Sequence, residues 1–343
     1  MKFFVIKLRK RNKEIHKMIK LQKSKGKDFA LLNLTDVQMG AGEWSPEHKN
    51  CAIINYTLDK LVESVKPDLI TISGDLSWCG DTEAVEALAA KLDTFGVPYS
   101  AVWGNHDQDG GYEKLDTVIE CLSKHPLFVY ENGPEELGRG NFVIGVYEDE
   151  KFVHGVIMMD THDRFPHETK ANGYGGLAWA KLTDEQVEWY RSTTKELIEM
   201  GCANTSLITH IPIYAYHYAW QAAFKEGLNS REITLEESYG SSCWNEGYES
   251  SFGVKYDDIC CYPEDEGTFD AIKELGSTKY VICGHDHTSC YSVEYKGVRL
   301  SYGLKTGAGC YWNPKLNGGS VIKINENGAY DFYHEYVDIS HLI

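Results

Sequence analysis

The chain has 343 residues, 42% of them hydrophobic and 25% charged, and this balance excludes a disordered, collagen-like or repeat protein. Its formal net charge is −17, yet residues 1–27 carry 11 Lys or Arg against one acid, Glu14. We expect these residues to form a basic arm that faces solvent or touches a membrane surface or acidic partner. The acidic remainder, residues 28–343, is expected to be one domain, and its charge argues against long nucleic acids as partners.

The sequence shows no membrane span and no disulfide framework. The apolar run near the N-terminus, residues 3–6, is too short for a signal peptide or a membrane helix. The ten cysteines are scattered without a C-x-x-C pair, so we expect free thiols. Both observations predict a cytoplasmic protein.

The first half of the chain alternates apolar runs with helical patterns. We predict buried strands at 29–35, 69–73 and 99–103, with helices at about 46–65 and 83–95 between them. This order is typical of βαβ units, so the predicted fold class is α/β with mostly parallel pairing. Polar residues follow each strand, at the edge where open α/β sheets bind ligands.

The second half continues the pattern. We predict a hairpin of strands 141–147 and 152–159, a helix at about 182–200, strands at 206–209 and 279–283, and antiparallel strands within 291–336. Between them, residues 214–266 are irregular and rich in aromatic and acidic residues, which indicates an inserted functional loop. Four of its aromatic residues either stack on a substrate or pack a small satellite core; they are Trp220, Phe224, Trp244 and Tyr248.

Side chains that bind metals follow five of the predicted strands. The segments are Asp36-Val-Gln38, Gly74-Asp75, Gly104-Asn-His-Asp107, Thr209-His210 and Gly284-His-Asp-His287. Taken singly, each has an ordinary structural explanation, but their order and spacing together make chance remote. Oxygen and imidazole ligands without thiolates suit first-row metal ions, and a shared carboxylate suits a pair of them.

This series of motifs resembles the signature of the calcineurin-like metallophosphoesterases, and it runs from Asp36 to His287. Thr209-His-Ile-Pro and Gly284-His-Asp-His-Thr288 are similar to the purple-acid-phosphatase-like branch, as are Asp160-Thr-His162 and the glycine-rich run from Tyr302 to Gly309. The resemblance implies an α/β sandwich in which two mixed β-sheets face each other and helices cover their outer faces.

The resemblance also implies roles for the matching residues. One metal would be bound by Asp36, Gln38, His287 and a bridging Asp75, and the other by Asp75, Asn105, His210 and His285. A hydroxide between the ions would be the nucleophile. His106 would assist the leaving group, with Asp107 orienting it, and Tyr174 is a candidate pocket residue that an ordinary loop also explains.

Two positions depart from the family pattern. Gln38 stands where a histidine is usual, although some relatives carry glutamine, so the first metal site is expected to be weaker or to prefer a harder ion. Trp78 stands where purple acid phosphatases carry the tyrosine that ligates iron, so we expect a colourless protein.

The predicted function is metal-dependent hydrolysis of a phosphomonoester or phosphodiester on a small molecule. The cofactors would be two divalent or trivalent first-row ions: Mn, Fe, Zn or Ni. The alternatives are a nuclease or nucleotide phosphodiesterase on the same fold, and a metal-binding scaffold without turnover. Gln38 favours the scaffold, whereas His106, which a scaffold does not need, argues against it. The sequence predicts neither the substrate nor an oligomeric state.

Overall fold

A computed structural model describes residues 4–9, 15–167 and 176–343. Side chains are described from residue 18 onwards within these ranges. The candidate pocket residue Tyr174 lies outside them, so its position is not assigned.

Fifteen strands are present in the described ranges. They are β1 (Phe4–Arg9), β2 (Ile15–Lys23), β3 (Phe29–Leu34), β4 (Leu69–Ser73), β5 (Tyr99–Val102), β6 (Phe142–Glu148), β7 (Lys151–Met158), β8 (Arg164–Pro166), β9 (Leu177–Trp179), β10 (Thr205–Ile208), β11 (Thr278–Cys283), β12 (Ser292–Tyr295), β13 (Val298–Tyr302), β14 (Gly318–Asn325) and β15 (Gly328–Tyr336). The α-helices there are α1 (Lys49–Val65), α2 (Thr82–Asp93), α3 (Gly111–Leu122), α4 (Asp184–Glu199), α5 (Ala215–Ala223), α6 (Leu235–Ser238) and α7 (Thr268–Leu275).

The strands form two large mixed sheets and one small hairpin. The larger sheet has eight strands in the order β1-β2-β6-β7-β10-β11-β13-β12, and the smaller has five in the order β15-β14-β3-β4-β5. Pairing is parallel across β3-β4-β5 and across β7-β10-β11-β13, while β14 pairs antiparallel with both β15 and β3. The hairpin β8–β9 stands apart from both sheets.

Three apolar layers hold these elements together. The middle layer lies between the two sheets and includes Phe29 and Ile322 of the smaller sheet and Ile144 and Ile282 of the larger. A second layer packs α1, α2 and α3 on the smaller sheet, and a third packs α4, α5 and α7 on the larger. The structure therefore confirms the predicted sandwich of two facing sheets flanked by helices, since apolar residues on both faces of each central strand require cover on both sides.

The predicted helices correspond to α1, α2 and α4, with ends that differ by a few residues. At α4 the Thr183 hydroxyl accepts the N–H of Gln186, and the Gln186 side chain accepts the N–H of Thr183, which is a complete capping box. At α2 Asp81 caps the first turn through Glu83 and Ala84. These capping contacts explain why the predicted starts of the helices agree with the structure to within a few residues.

The basic segment at the N-terminus differs from the predicted arm. Within residues 1–27, Ile15–Lys23 forms β2, which pairs with β1 on one side and with β6 on the other. Met18 and Leu21 of β2 are buried. The apolar residues between the lysines explain the strand. Their burial against the sheet's neighbours outweighs the charge that suggested a solvated arm.

The aromatic residues of the 214–266 segment pack mainly on one another. The Trp220 and Phe224 rings stack with centroids 4.4 Å apart, and Trp244 meets Trp220 edge-on at 5.7 Å. Trp244 is 2% exposed and its indole N–H donates to the Ser238 carbonyl. The structure therefore favours packing over substrate stacking for these residues, but they join the helix-side layer on the larger sheet instead of forming a separate satellite core.

All ten cysteines lie in the described ranges, and each is a free thiol. None of the helices described there combines the length and hydropathy that a membrane crossing requires.

Candidate metal centre

The five predicted ligand segments meet at one edge of the two sheets. Asp36, Asp75 and Asn105 follow β3, β4 and β5 of the smaller sheet, and His210 and His285 follow β10 and β11 of the larger. Because the carboxyl ends of these parallel strands point the same way, the loops that follow them converge. The site is therefore shared between the two sheets.

Four of the converging residues have strained backbones. Asp36, Gln38, Asp75 and His285 have positive φ angles of 53°, 44°, 51° and 79°, in a region that costs non-glycine residues energy. Gly104 packs so closely that a Cβ there would lie 2.7 Å from the Asp75 Cγ. Such strain persists only where the surroundings fix it, and it concentrates at functional sites.

Asp36 lies at the centre of one half of the site. Its carboxylate accepts hydrogen bonds from the Thr35 hydroxyl at 2.6 Å and from the His285 N–H at 3.1 Å. His287 Nε2 lies 3.3 Å from Asp36 Oδ1. Burial opposes ionisation of Asp36, but the charge and hydrogen bond of His287 hold its pKa well below its usual range. Asp36 is therefore a carboxylate.

The other half contains His210, His285, Asn105 and the carboxylate of Asp75. His210 Nε2 lies 3.1 Å from Asn105 Oδ1, 3.3 Å from His285 Nδ1 and 3.6 Å from Asp75 Oδ2. Burial, together with the charge of His210, lowers the pKa of His285 well below its usual value, so His285 is a neutral imidazole with a lone pair to offer. The two halves adjoin, since Asp36, Asp75 and His287 each offer a ligand atom within 4.8 Å of the others.

The hydrogen bonds of two histidines fix which nitrogen faces the site. His210 Nδ1 lies 2.8 Å from the Ser73 carbonyl, and His287 Nδ1 lies 2.8 Å from the Tyr311 carbonyl. A carbonyl only accepts, so each Nδ1 carries the proton and donates it. Nε2 is then the nitrogen that each ring turns toward the carboxylate and amide oxygens of the site, as in metal-ligating histidines. Burial and the charge of Lys305 lower the pKa of His287, but the charge and hydrogen bond of Asp36 outweigh them and raise it to about 9, so His287 Nε2 carries a proton that a bound cation would displace.

Gln38 and Asn105 supply amide groups that lack partners. Gln38 is fully buried, and neither of its side-chain amide atoms has a hydrogen-bond partner among the described residues, nor does Asn105 Nδ2. An unpaired buried amide costs about 1–3 kcal/mol. Gln38 Oε1 is an acceptor, whereas Gln38 Nε2 and Asn105 Nδ2 are donors, so of these three atoms the oxygen is the one that can bind a cation. Together with two carboxylates and three imidazoles, this unpaired oxygen makes a set of residues that fits bound cations.

His106 lies beside this centre, but its partner differs from the prediction. Its Nδ1 is 2.7 Å from Asp109 Oδ2, and the Trp78 ring meets the His106 ring edge-on at 4.5 Å. Burial lowers the pKa of His106, but the hydrogen bond to Asp109 and the charge of Asp75 outweigh it, so the net shift is upward.

Asp107 has a structural position. Its carboxylate accepts the backbone N–H groups of Leu76, Ser77 and Gly104 at 2.9–3.3 Å, and it is fully buried. Burial and the negative charge of Asp75 raise its pKa to about 7. The prediction that Asp107 orients His106 is therefore wrong: Asp107 ties two loops together, and Asp109, three residues after His106, makes the contact instead.

Three further residues of the site were not among the predicted site residues. The buried Lys305 ammonium donates to the Asp36 carbonyl, and burial lowers its pKa to about 8 although Asp36 opposes the shift. The Trp179 ring packs edge-on against His285 with centroids 4.3 Å apart, and Tyr311 stacks on His287 at 4.2 Å. Lys305 lies in the glycine-rich run from Tyr302 to Gly309, which is the one signal that pointed to this region.

The chain is similar to two named proteins over most of its length. The chain is 28% identical over 326 residues to the "Probable inactive purple acid phosphatase 14" of Arabidopsis thaliana, covering 87% of this chain and 75% of that protein. It is 23% identical to "Phosphatase DCR2" of Saccharomyces cerevisiae, covering 91% of this chain and 54% of that protein.

A crystal structure of a dimetal phosphatase from Danio rerio has the same fold, with a TM-score of 0.50 and 12% identity over 89% of this chain and 98% of that one. The family model described as calcineurin-like phosphoesterase matches residues 30–289, which contain all seven predicted metal ligands. The chain belongs to the calcineurin-like phosphoesterase family, and its relatives are purple-acid-phosphatase-like.

Proposed function

We propose that this protein binds two first-row metal ions and hydrolyses a phosphoester of a small molecule. The observation that carries the proposal is the convergence of two carboxylates and three imidazoles at the shared sheet edge, where the buried Gln38 Oε1 accepts no hydrogen bond from the described residues. Structural burial alone does not account for this, because a buried polar core normally pairs its acceptors with donors.

The geometry supports one division of the ligands. Asp36, Gln38 and His287 would hold the first ion, and Asn105, His210 and His285 the second. Asp75 lies near members of both sets, since its carboxylate is within reach of His210 and within 4.8 Å of the Asp36 and His287 ligand atoms. It is therefore the proposed bridge. Two such ions supply a nucleophile from water near neutral pH and offset the charge of the phosphoryl group.

His106 is the proposed residue on the leaving-group side. Its side chain is 25% exposed, whereas His210 and Asp75 beside it are buried, so His106 reaches the open face of the site. Asp109 takes the Nδ1 side of the ring, which leaves Nε2 as the nitrogen that protonates the departing oxygen. The upward shift of the His106 pKa favours the protonated form that this role requires.

The test compares the wild type with Asp75→Asn, and with Asp59→Asn as a control at a half-exposed acid of α1 that pairs with Lys91. Each protein is stripped with a chelator and reloaded with Mn, Zn, Fe or Ni. Metal content is then measured by elemental analysis, and hydrolysis of an aryl phosphomonoester and a bis-aryl phosphodiester is followed. We expect about two ions per chain and metal-dependent hydrolysis in the wild type and the control, and loss of both in Asp75→Asn.

A metal-binding protein without turnover is the second candidate, and two observations favour it. Gln38 supplies an amide where an imidazole is the stronger ligand, and the Arabidopsis relative carries the word "inactive" in its name. Two bound ions without hydrolysis of either ester would favour this candidate. A wild type that binds no metal would contradict both.

A further inference from the structure

Trp78 lies in a short turn that is tied to the loop of His106. It begins a single turn of 3-10 helix (Trp78–Gly80), and the Gly80 N–H donates to the His106 carbonyl at 3.2 Å. Inside this turn Cys79 has a positive φ of 51°, in a region that costs a non-glycine residue energy. Because such strain persists only where the surroundings fix it, the turn holds Trp78 in a defined place beside His106.

The indole of Trp78 lies outside the hydrophobic core. It is only partly buried, and it is not among the side chains that pack on the apolar clusters of the described residues. Within the same part of the chain, the aromatic ring in contact with it is that of His106, with centroids 4.5 Å apart and 62° between the ring planes. Core packing therefore does not explain this tryptophan.

The contact with His106 puts the indole on the leaving-group side of the centre. A residue that protonates a departing oxygen comes within about 3 Å of that oxygen, so the organic group bonded to it starts beside the His106 ring. Asp109 takes the Nδ1 side of this ring, and Trp78 meets it edge-on. The His106 side chain is 25% exposed and Trp78 is partly exposed, so the two rings border one opening.

We infer that Trp78 forms one wall of a leaving-group subsite, and that the site prefers phosphoesters whose leaving group is a planar aromatic ring. An indole offers a rigid apolar face, on which a planar ring makes more contact than a flexible alkyl chain does. Asp109, at the same opening, disfavours further negative charge on the leaving group. This inference rests on the proposed function, because it takes the role of His106 from it, and it adds the class of the organic group.

Phosphonates, in which carbon replaces the bridging oxygen of the ester, test the inference without depending on turnover. Benzylphosphonate has a planar ring in the place of the leaving group, cyclohexylmethylphosphonate has a ring of similar size that is not planar, and methylphosphonate has no ring. Binding of each to the metal-loaded protein is measured by isothermal titration calorimetry for the wild type, Trp78→Leu and Trp78→Phe.

The matched control is Tyr330→Leu, which removes an aromatic ring far from the opening. Tyr330 lies in β15 and is 51% exposed, and its hydroxyl donates to Asp28. Asp28 precedes β3, whereas the metal centre follows that strand. Metal content by elemental analysis and the thermal midpoint of each variant establish that the centre and the fold are intact.

We expect the wild type to bind benzylphosphonate more tightly than the other two ligands. Trp78→Leu should bind it about 3- to 10-fold more weakly, as the loss of one aromatic pair predicts. Methylphosphonate binding should change by less than about twofold, because this ligand has no group that reaches the indole. Trp78→Phe should keep part of the preference, since it retains a planar face, and Tyr330→Leu should match the wild type.

The inference would be overturned, with the metal centre left in place, by a wild type that binds benzylphosphonate no more tightly than the other two ligands. Equal losses for all three ligands in Trp78→Leu, or no loss for benzylphosphonate, would overturn it as well. A wild type that takes up no metal would instead contradict the proposed function, and the inference with it.

Discussion

Adding a single methyl group at Gly284 should disable one half of the site. A Cβ there would lie 2.6 Å from Asp36 Oδ2 and 3.0 Å from the Ser73 carbonyl, and it would overlap the Thr35 hydroxyl. Asp36 cannot move aside easily, because Thr35, His285 and Lys305 all hydrogen-bond to it. Overpacking of this kind costs about 1–3 kcal/mol of unfolding free energy.

Urea unfolding of metal-free Gly284→Ala measures that cost, and elemental analysis after reloading measures the damage to the first ion's site. The control is Gly240→Ala, where the added Cβ would lie 3.4 Å from the Glu237 carbonyl, an ordinary contact, and where φ is −97°. Its unfolding free energy should stay within about 0.5 kcal/mol of the wild type. Wild-type stability and full metal content in Gly284→Ala would show that the loop is not close-packed around Asp36, and would refute the reasoning.

Four other substitutions test three separate features. Burial lowers the pKa of His334 to about 4, so protons bind preferentially to the unfolded chain between pH 6.5 and 4. The free energy of unfolding should therefore fall by up to about 3 kcal/mol as the pH is lowered over that range. In urea unfolding, His334→Gln should flatten this dependence of stability on pH, and an unchanged slope would contradict the lowered pKa of His334. Gln38→His should raise the metal content that survives dialysis, since imidazole binds first-row ions more strongly than an amide oxygen; equal or lower retention would argue against Gln38 as a ligand. Asp107→Asn should lower the free energy of unfolding in urea by about 1–3 kcal/mol, because the amide cannot accept all three backbone N–H groups. Asp109→Asn should leave the free energy of unfolding unchanged and reduce phosphomonoester hydrolysis. The reverse result would restore Asp107 as the partner of His106.

The sequence predicted the parts of the site that depend on the edge of a parallel sheet. Asp36, Asp75 and His210 each follow a short apolar run, and the strand that each run forms fixes the position of the residue after it. The contact of His106 was less predictable, because Asp107 and Asp109 are both close in sequence and only the turn decides which carboxylate faces the ring. Trp179 had no motif, because its contact with His285 depends on how the hairpin β8–β9 packs.

The N-terminal strand shows a different limit. β2 carries many lysines, and a count of charge over residues 1–27 suggested a solvated arm. Met18 and Leu21 nevertheless fill the interior while the backbone pairs with β6. Composition averages over a segment, whereas burial is decided residue by residue. Met18 and Leu21 lie on opposite faces of β2, and each face is covered by an apolar layer, so a basic segment can still contain a buried strand.

Because the proposed ligands are divided between the two sheets, metal binding should stabilise the whole fold. The smaller sheet carries Asp36, Asp75 and Asn105, and the larger sheet carries His210, His285 and His287. Ions bound between these residues would therefore link the two sheets. A ligand present at 100 times its dissociation constant adds about 2.7 kcal/mol to stability when it binds only the folded state. The resistance of this protein to unfolding or to proteases should therefore rise and fall with the metal supply, even in a variant that has lost hydrolysis.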